Sequence, residues 1–117
     1  MGGPERRKDP RAPVWLAARY HLVEEAPDLW YMGTITDLSA GGLRMAGDRR
    51  LEPGAKLDLE IALAHRPEPV RLKGEVVWVR SLASGSEYGV MFIELSPDQQ
   101  VELDELVQFL IQKRTQS

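Results

Sequence analysis

Cysteine is absent from the 117 residues, which excludes disulfides and thiolate zinc sites and suits a reducing compartment. Apolar runs long enough to span a membrane are also missing, and the N-terminus lacks the apolar core of a signal peptide. These absences lead to the expectation of a soluble, cytoplasmic protein without membrane insertion. Histidine is scarce, with His21 and His65 alone. His21 falls on the polar side of a strand pattern and His65 opens a proline-containing loop. Both read as surface or rim residues, and no third ligand accompanies either. A triad of His21, Asp37 and Ser39 would lack the strand–turn–helix elbow that exposes a serine nucleophile. No glycine-rich phosphate cradle is present. Glu102, Asp104 and Glu105 are scattered around a helix pattern, as on a solvated face. Neither an enzyme nor a metal site is expected.

An excess of positive charge is lacking too. Formal net charge is -3, unevenly placed. In residues 1–11, Arg6, Arg7, Lys8 and Arg11 against Glu5 and Asp9 leave +2, and eleven basic against sixteen acidic residues leave -5 in the rest. An acidic body with a small basic arm argues against binding a nucleic-acid polymer, which needs an extended basic face. It is compatible with one compact anion.

What is present is strand periodicity, in a length that suits one domain. Residues 1–13 hold three prolines and two glycines and read as an irregular arm. From 14 to 22, Val14, Leu16, Ala18, Tyr20 and Leu22 alternate with polar residues such as Arg19 and His21, the pattern of a half-buried strand. Further strands are expected at 29–37, 43–46, 56–64, 70–82 and 87–95. In the fifth, Val70, Leu72, Val76 and Trp78 share a face, and Gly74 suggests a bend or bulge. The period then changes. Ser96, Pro97 and Gln99 form a helix start with a capping box, and Leu103, Leu106, Val107, Leu110 and Ile111 make one apolar stripe. Val101 and Phe109 lie off that stripe and are expected to widen the buried face. Six short strands and a terminal helix imply a mainly β fold: an antiparallel β-barrel over 14–117, with the helix from about residue 97 flanking one opening.

Asp37-Leu38-Ser39-Ala40-Gly41-Gly42 joins two of these strands. Such residues are ordinary turn formers. They also gather a carboxylate, a hydroxyl and two glycines that let another group approach the backbone. The arm, alone, is an ordinary solvated charge run. Its Arg7 and Arg11, four apart, nevertheless offer forks suited to phosphate and to the O6/N7 edge of guanine. Asp37 can accept from the N1–H and N2–H of guanine, and Ser39 can serve a phosphate or an exocyclic amine. Gly42 would let a base lie against the backbone. Arm donors and turn acceptors together match a guanine nucleotide.

Arg7-x-x-x-Arg11 followed, after one strand–turn–strand unit, by Asp37-x-Ser39-x-x-Gly42 resembles the two-part signature of PilZ domains. Gly74-Glu75-Val76-Val77-Trp78 and Tyr88-Gly89-Val90-Met91-Phe92 also resemble later strands of that family. The resemblance implies a six-stranded barrel with a C-terminal helix that acts as a bacterial receptor for cyclic di-GMP. Arg7 and Arg11 would clamp guanine edges and phosphates, Asp37 and Ser39 would hold a guanine, and Gly42 would keep the turn open. Arg6, just before the first motif arginine, goes in some members with two intercalated ligand molecules. Trp78 would lie beside a base or, as readily, pack in the core. The implied mechanism is non-enzymatic: ligand folds the arm across the barrel and changes the surface shown to a downstream protein, in motility, biofilm formation or secretion. A monomer or weak dimer is expected. Two alternatives stand beside it. One is an adaptor of the same fold, serving motility or pilus function without ligand. The other is a small-barrel nucleic-acid binder, which the acidic body disfavours.

Overall fold

Alternation along the strands decides which side of the sheet each residue takes, and the core follows from it. In β4 (Lys56–Ile61), Leu57, Leu59 and Ile61 are buried while Lys56 points to solvent. In β1 (Arg11–Leu22), Ala18 and Tyr20 are buried, with Val14, Leu16 and Leu22 packed against the same core. The other strands are β2 (Tyr31–Ser39), β3 (Gly42–Gly47), β5 (Val70–Ser81) and β6 (Ser86–Ile93). All neighbours pair antiparallel, and the order β1-β2-β3-β6-β5-β4 closes into a barrel. The structure, a computed structural model, describes residues 11–116, with side chains from 12 to 112.

Helix α1 (Pro97–Gln116) starts as its sequence demands. The Gln99 N–H donates to Ser96 Oγ at 3.1 Å, and the Ser96 N–H donates to Gln99 Oε1 at 2.9 Å. The helix packs against β1 and β2, burying Leu103, Leu106 and Val107 in the barrel core. Gln99 Nε2 donates to the Arg71 carbonyl at 3.0 Å, and Arg66 pairs with Glu102 at 2.7 Å, so the β4–β5 connection and the start of β5 hold the helix.

Four local expectations are corrected. β1 begins at Arg11, three residues earlier than the alternation suggested, and Ala12 is fully buried. His21 is not a rim residue: the β1–β2 connection folds over it, the Trp30 ring lies 5.4 Å away, and its Nδ1 is 3.1 Å from the Leu29 carbonyl oxygen. Val101 and Phe109 do not widen the buried face of α1, being 55% and 40% exposed, because their helical angle carries them away from the Leu103 stripe.

The fourth concerns β5. Its register with β6 runs unbroken through Gly74, and the irregularity falls between Val76 and Trp78. Gly74 instead makes room inside the barrel, since a Cβ there would stand 2.5 Å from Val90 Cγ1. The extra residue reverses the phase of the strand. Trp78 therefore leaves the face shared by Val70, Leu72 and Val76 and turns outward, 40% exposed.

Candidate functional site

The β2–β3 hairpin carries the Asp37–Gly42 motif, and its core residues set the orientation of the rest. Leu38 and Leu43 are cross-strand neighbours, both buried. Alternation then sends Asp37 and Arg44, the next cross-strand pair, to the outer surface. Asp37 thus lies within β2, which runs on two residues past it to Ser39. Arg44 Nη2 approaches Asp37 Oδ2 at 3.5 Å.

Ser39 ends β2 and shapes the turn. Its Oγ accepts from the Gly41 N–H and donates to the Gly42 carbonyl, both at 3.3 Å, and it is buried. Gly42 opens β3 opposite Met91 of β6. A Cβ at Gly42 would stand 2.2 Å from the Val90 carbonyl oxygen, a fixed backbone atom. Lack of a side chain there is a requirement of the β3–β6 approach itself. The Phe92 N–H donates to the Gly41 carbonyl at 2.9 Å, extending the ladder around the turn.

Trp78 completes the surface from the other side. It opposes Gly89 across β5–β6. A Cβ on Gly89 would fall 2.1 Å from Trp78 Nε1 and 2.3 Å from Cε2, so the indole occupies the place a side chain would take. An open cleft of ≈ 300 Å³ results, lined by Ser39, Gly42, Arg44, Trp78, Gly89 and Met91 among others. The bulge in β5, Gly89 in β6 and the hairpin of β2–β3 each supply one wall.

Strand β1 runs alongside this surface. Its register places Arg11 opposite Ser39 and Pro13 opposite Asp37. The arginine motif therefore enters the fold next to the hairpin motif. The Arg11 side chain, Arg6 and Arg7 lie outside the described residues. Ser39, Gly42 and Trp78 line one cleft, and Asp37 adjoins it through its cross-strand neighbour Arg44. Arg44, Gly89 and Met91 were not singled out for the site from sequence, although Arg44 lies two residues beyond Gly42, the spacing that returns to the same strand face.

Besides an open cleft lined by Thr34, Gly47 and Ser84 among others, two further clefts carry none of the motif residues. One, beside Trp30, is edged by Asp58, Glu60, Arg71 and Lys73, which are paired among themselves and with Arg19. The other is lined chiefly by small and apolar groups such as Ala17, Met32, Ala62, Pro67 and Pro69. Among the described residues no group of three or more His, Asp or Glu side chains is arranged to hold a metal ion. No helix among them is long and apolar enough to cross a membrane.

Comparison with known proteins follows the same outline. The PilZ domain of Escherichia coli YcgR, solved with c-di-GMP, superposes with a TM-score of 0.77 at 14% identity, covering 95% of each chain. A tetrameric PilZ domain from Xanthomonas campestris, self-assembled through a helical bundle, gives a TM-score of 0.78 at 15% identity over 94% of this chain and 92% of that one. The MrkH–c-di-GMP complex of K. pneumonia gives 0.73 at 22% identity over 95% of this chain, which spans only 55% of MrkH. No curated protein matches the sequence. These likenesses establish the barrel-and-helix fold. The PilZ domain model matches residues 5–111, nearly the whole chain, and the protein belongs to the PilZ domain family.

Proposed function

We propose that the chain is a cytoplasmic receptor for cyclic di-GMP, without catalytic activity, that acts through a downstream protein. The observation that carries this reading is the meeting of Ser39, Gly42 and Trp78 in one cleft, with Asp37 beside it as the cross-strand neighbour of Arg44 and with β1 delivering Arg11 in register with Ser39. Ligand-bound relatives of the same fold support it. In this reading Asp37 accepts from the Watson–Crick edge of a guanine. Ser39 holds the turn in shape with bonds to Gly41 and Gly42. Trp78 offers a half-exposed ring face for stacking. Arg7 and Arg11 supply forks for phosphates and guanine edges, and Arg6 admits a second, intercalated ligand. Closure of the arm over the ligand changes the surface a partner meets.

Isothermal titration of the full chain tests this, with GTP and cyclic di-AMP as controls. Saturable binding specific to cyclic di-GMP is expected, lost in Arg7→Ala and Arg11→Ala with the fold intact, and changed from two ligands to one in Arg6→Leu. Absence of binding by the wild type overturns the reading. One observation favours a second reading, a ligand-independent protein adaptor: Val101 and Phe109 stand exposed on α1. Retention of partner binding by an Arg7→Ala, Arg11→Ala double variant would select it.

A further inference from the structure

Arg44 is the one cation among the described residues lining the cleft. Its position is set by the sheet, since it is the cross-strand neighbour of Asp37 on β2 and of Gly89, the glycine beneath the Trp78 indole, on β6. Its hold on Asp37 is slight. A single nitrogen approaches Oδ2 at 3.5 Å, and the Arg44 side chain is 43% exposed while that of Asp37 is 14% exposed. A pair joined by one long contact, with its cation half-exposed, is cheaply exchanged for another partner.

We propose that Arg44 is a further ligand-binding residue, an inference that rests on the receptor reading above. A guanidinium and the Watson–Crick edge of guanine present the same thing to a carboxylate: adjacent N–H donors in one plane. Arg44 therefore occupies on Asp37 the place a guanine edge would take. When the guanine engages Asp37, the guanidinium is released beside it, already inside the cleft and close to Trp78. The ligand is a dianion and the body of the chain is acidic, so the released cation turns to the nearest phosphate. The exchange conserves the pairing of both groups, as carboxylate passes from arginine to base and arginine passes from carboxylate to phosphate. Such an exchange avoids leaving an unpaired charge at either stage, which is the costly event in polar recognition.

Calorimetric titration of the full chain with cyclic di-GMP, for wild type, Arg44→Gln and Arg44→Ala, tests this. Thermal melts establish that each variant is folded, and Arg44→Gln decides the matter if the alanine variant is not. Affinity is expected to fall by about tenfold in both variants, the scale of one charge-assisted contact. The gap between wild type and variants should narrow as salt rises, because a phosphate contact is screened. Binding within about twofold of wild type, or tighter, overturns the proposal, the latter by making Arg44 a competitor only. A wild type that does not bind overturns the receptor reading itself, an outcome distinct from a binding wild type with unimpaired variants.

Discussion

Two arginine–carboxylate pairs stand at opposite ends of β2 and β3, and they are built differently. Beyond the end of β3, Arg49 meets Glu25 with both forks, at 2.8 and 2.5 Å, and its guanidinium lies 4.5 Å above the Tyr31 ring. Its carbonyl accepts from the Tyr88 hydroxyl. Arg49 holds the Glu25 carboxyl below the usual range, chiefly by hydrogen bonding. Burial, with the Tyr20 hydroxyl's neighbour Tyr88 adding to it, pushes the Tyr20 hydroxyl well above its ordinary value. At the hairpin end, Arg44 approaches Asp37 through one nitrogen at 3.5 Å. The same two chemical groups thus make a clasp at one end, tying the β1–β2 connection to the β3–β4 loop. At the other end they make a loose pair facing a cleft. Two short bonds over an aromatic ring mark a structural ion pair, and a single long contact beside a concave surface marks one ready to exchange partners.

The comparison is broken most severely at the backbone. Gly42→Val drives a side chain into the Val90 carbonyl, 2.2 Å from the Cβ position, and should cost about 3 kcal/mol. Chemical denaturation measures it. A loss near zero would mean that β3 and β6 are not locked together beneath the loose pair. Next in size, Arg49→Met removes the clasp. The melting temperature should fall by several degrees while affinity for cyclic di-GMP is unchanged, separating the two ends by function. A matching loss of affinity would join what the geometry divides.

Gly89→Ala acts at the cleft alone. Its methyl displaces the Trp78 indole, which can swing outward, so stability changes little while affinity falls about tenfold, the scale of one lost base stack. The smallest effect is expected from Glu60→Gln. Arg19 first, and then Arg71, hold the Glu60 carboxyl below its ordinary 4.5 by hydrogen bonds. A carboxyl lowered in the folded state contributes stability above its unfolded value and loses it as the pH falls through the folded value. Glu60→Gln should therefore lower stability by less than about 1 kcal/mol at neutral pH, and by progressively less below the ordinary carboxyl range. Both arginines are largely exposed, so added salt should shrink the difference.

Much of this fold was legible because burial on one face imposes alternation on a strand and a stripe of period 3.6 on a helix, and both survive in the sequences of β4 and α1. The capping box of Ser96 and Gln99 is local chemistry, readable without any partner. Bulges are not readable in this way. The inserted residue near Val77 fits a continuous run of apolar positions, and only pairing with β6 reveals that Trp78 has changed sides. His21 alternated correctly with its neighbours, yet the connection that covers it is a tertiary event. The hairpin motif was visible as a set of residue types, with Gly42 understood as room for a ligand. The clash distance shows a more basic demand from β6. Arg44 drew no notice because its importance lies in standing across from Asp37, a relation that register creates and linear spacing hides.

The outward turn of Trp78 also gives the protein an optical voice at its cleft. Of the three indoles, that of Trp15 is 81% exposed, and that of Trp30 is tethered through Nε1 to the Pro27 carbonyl beside His21. Trp78 alone among them lines the cleft. A purine laid on its ring would quench its emission, while the emission of the other two would persist as a constant background. Occupancy at the hairpin can thus be followed by intrinsic fluorescence, with Trp78→Phe as the silent control.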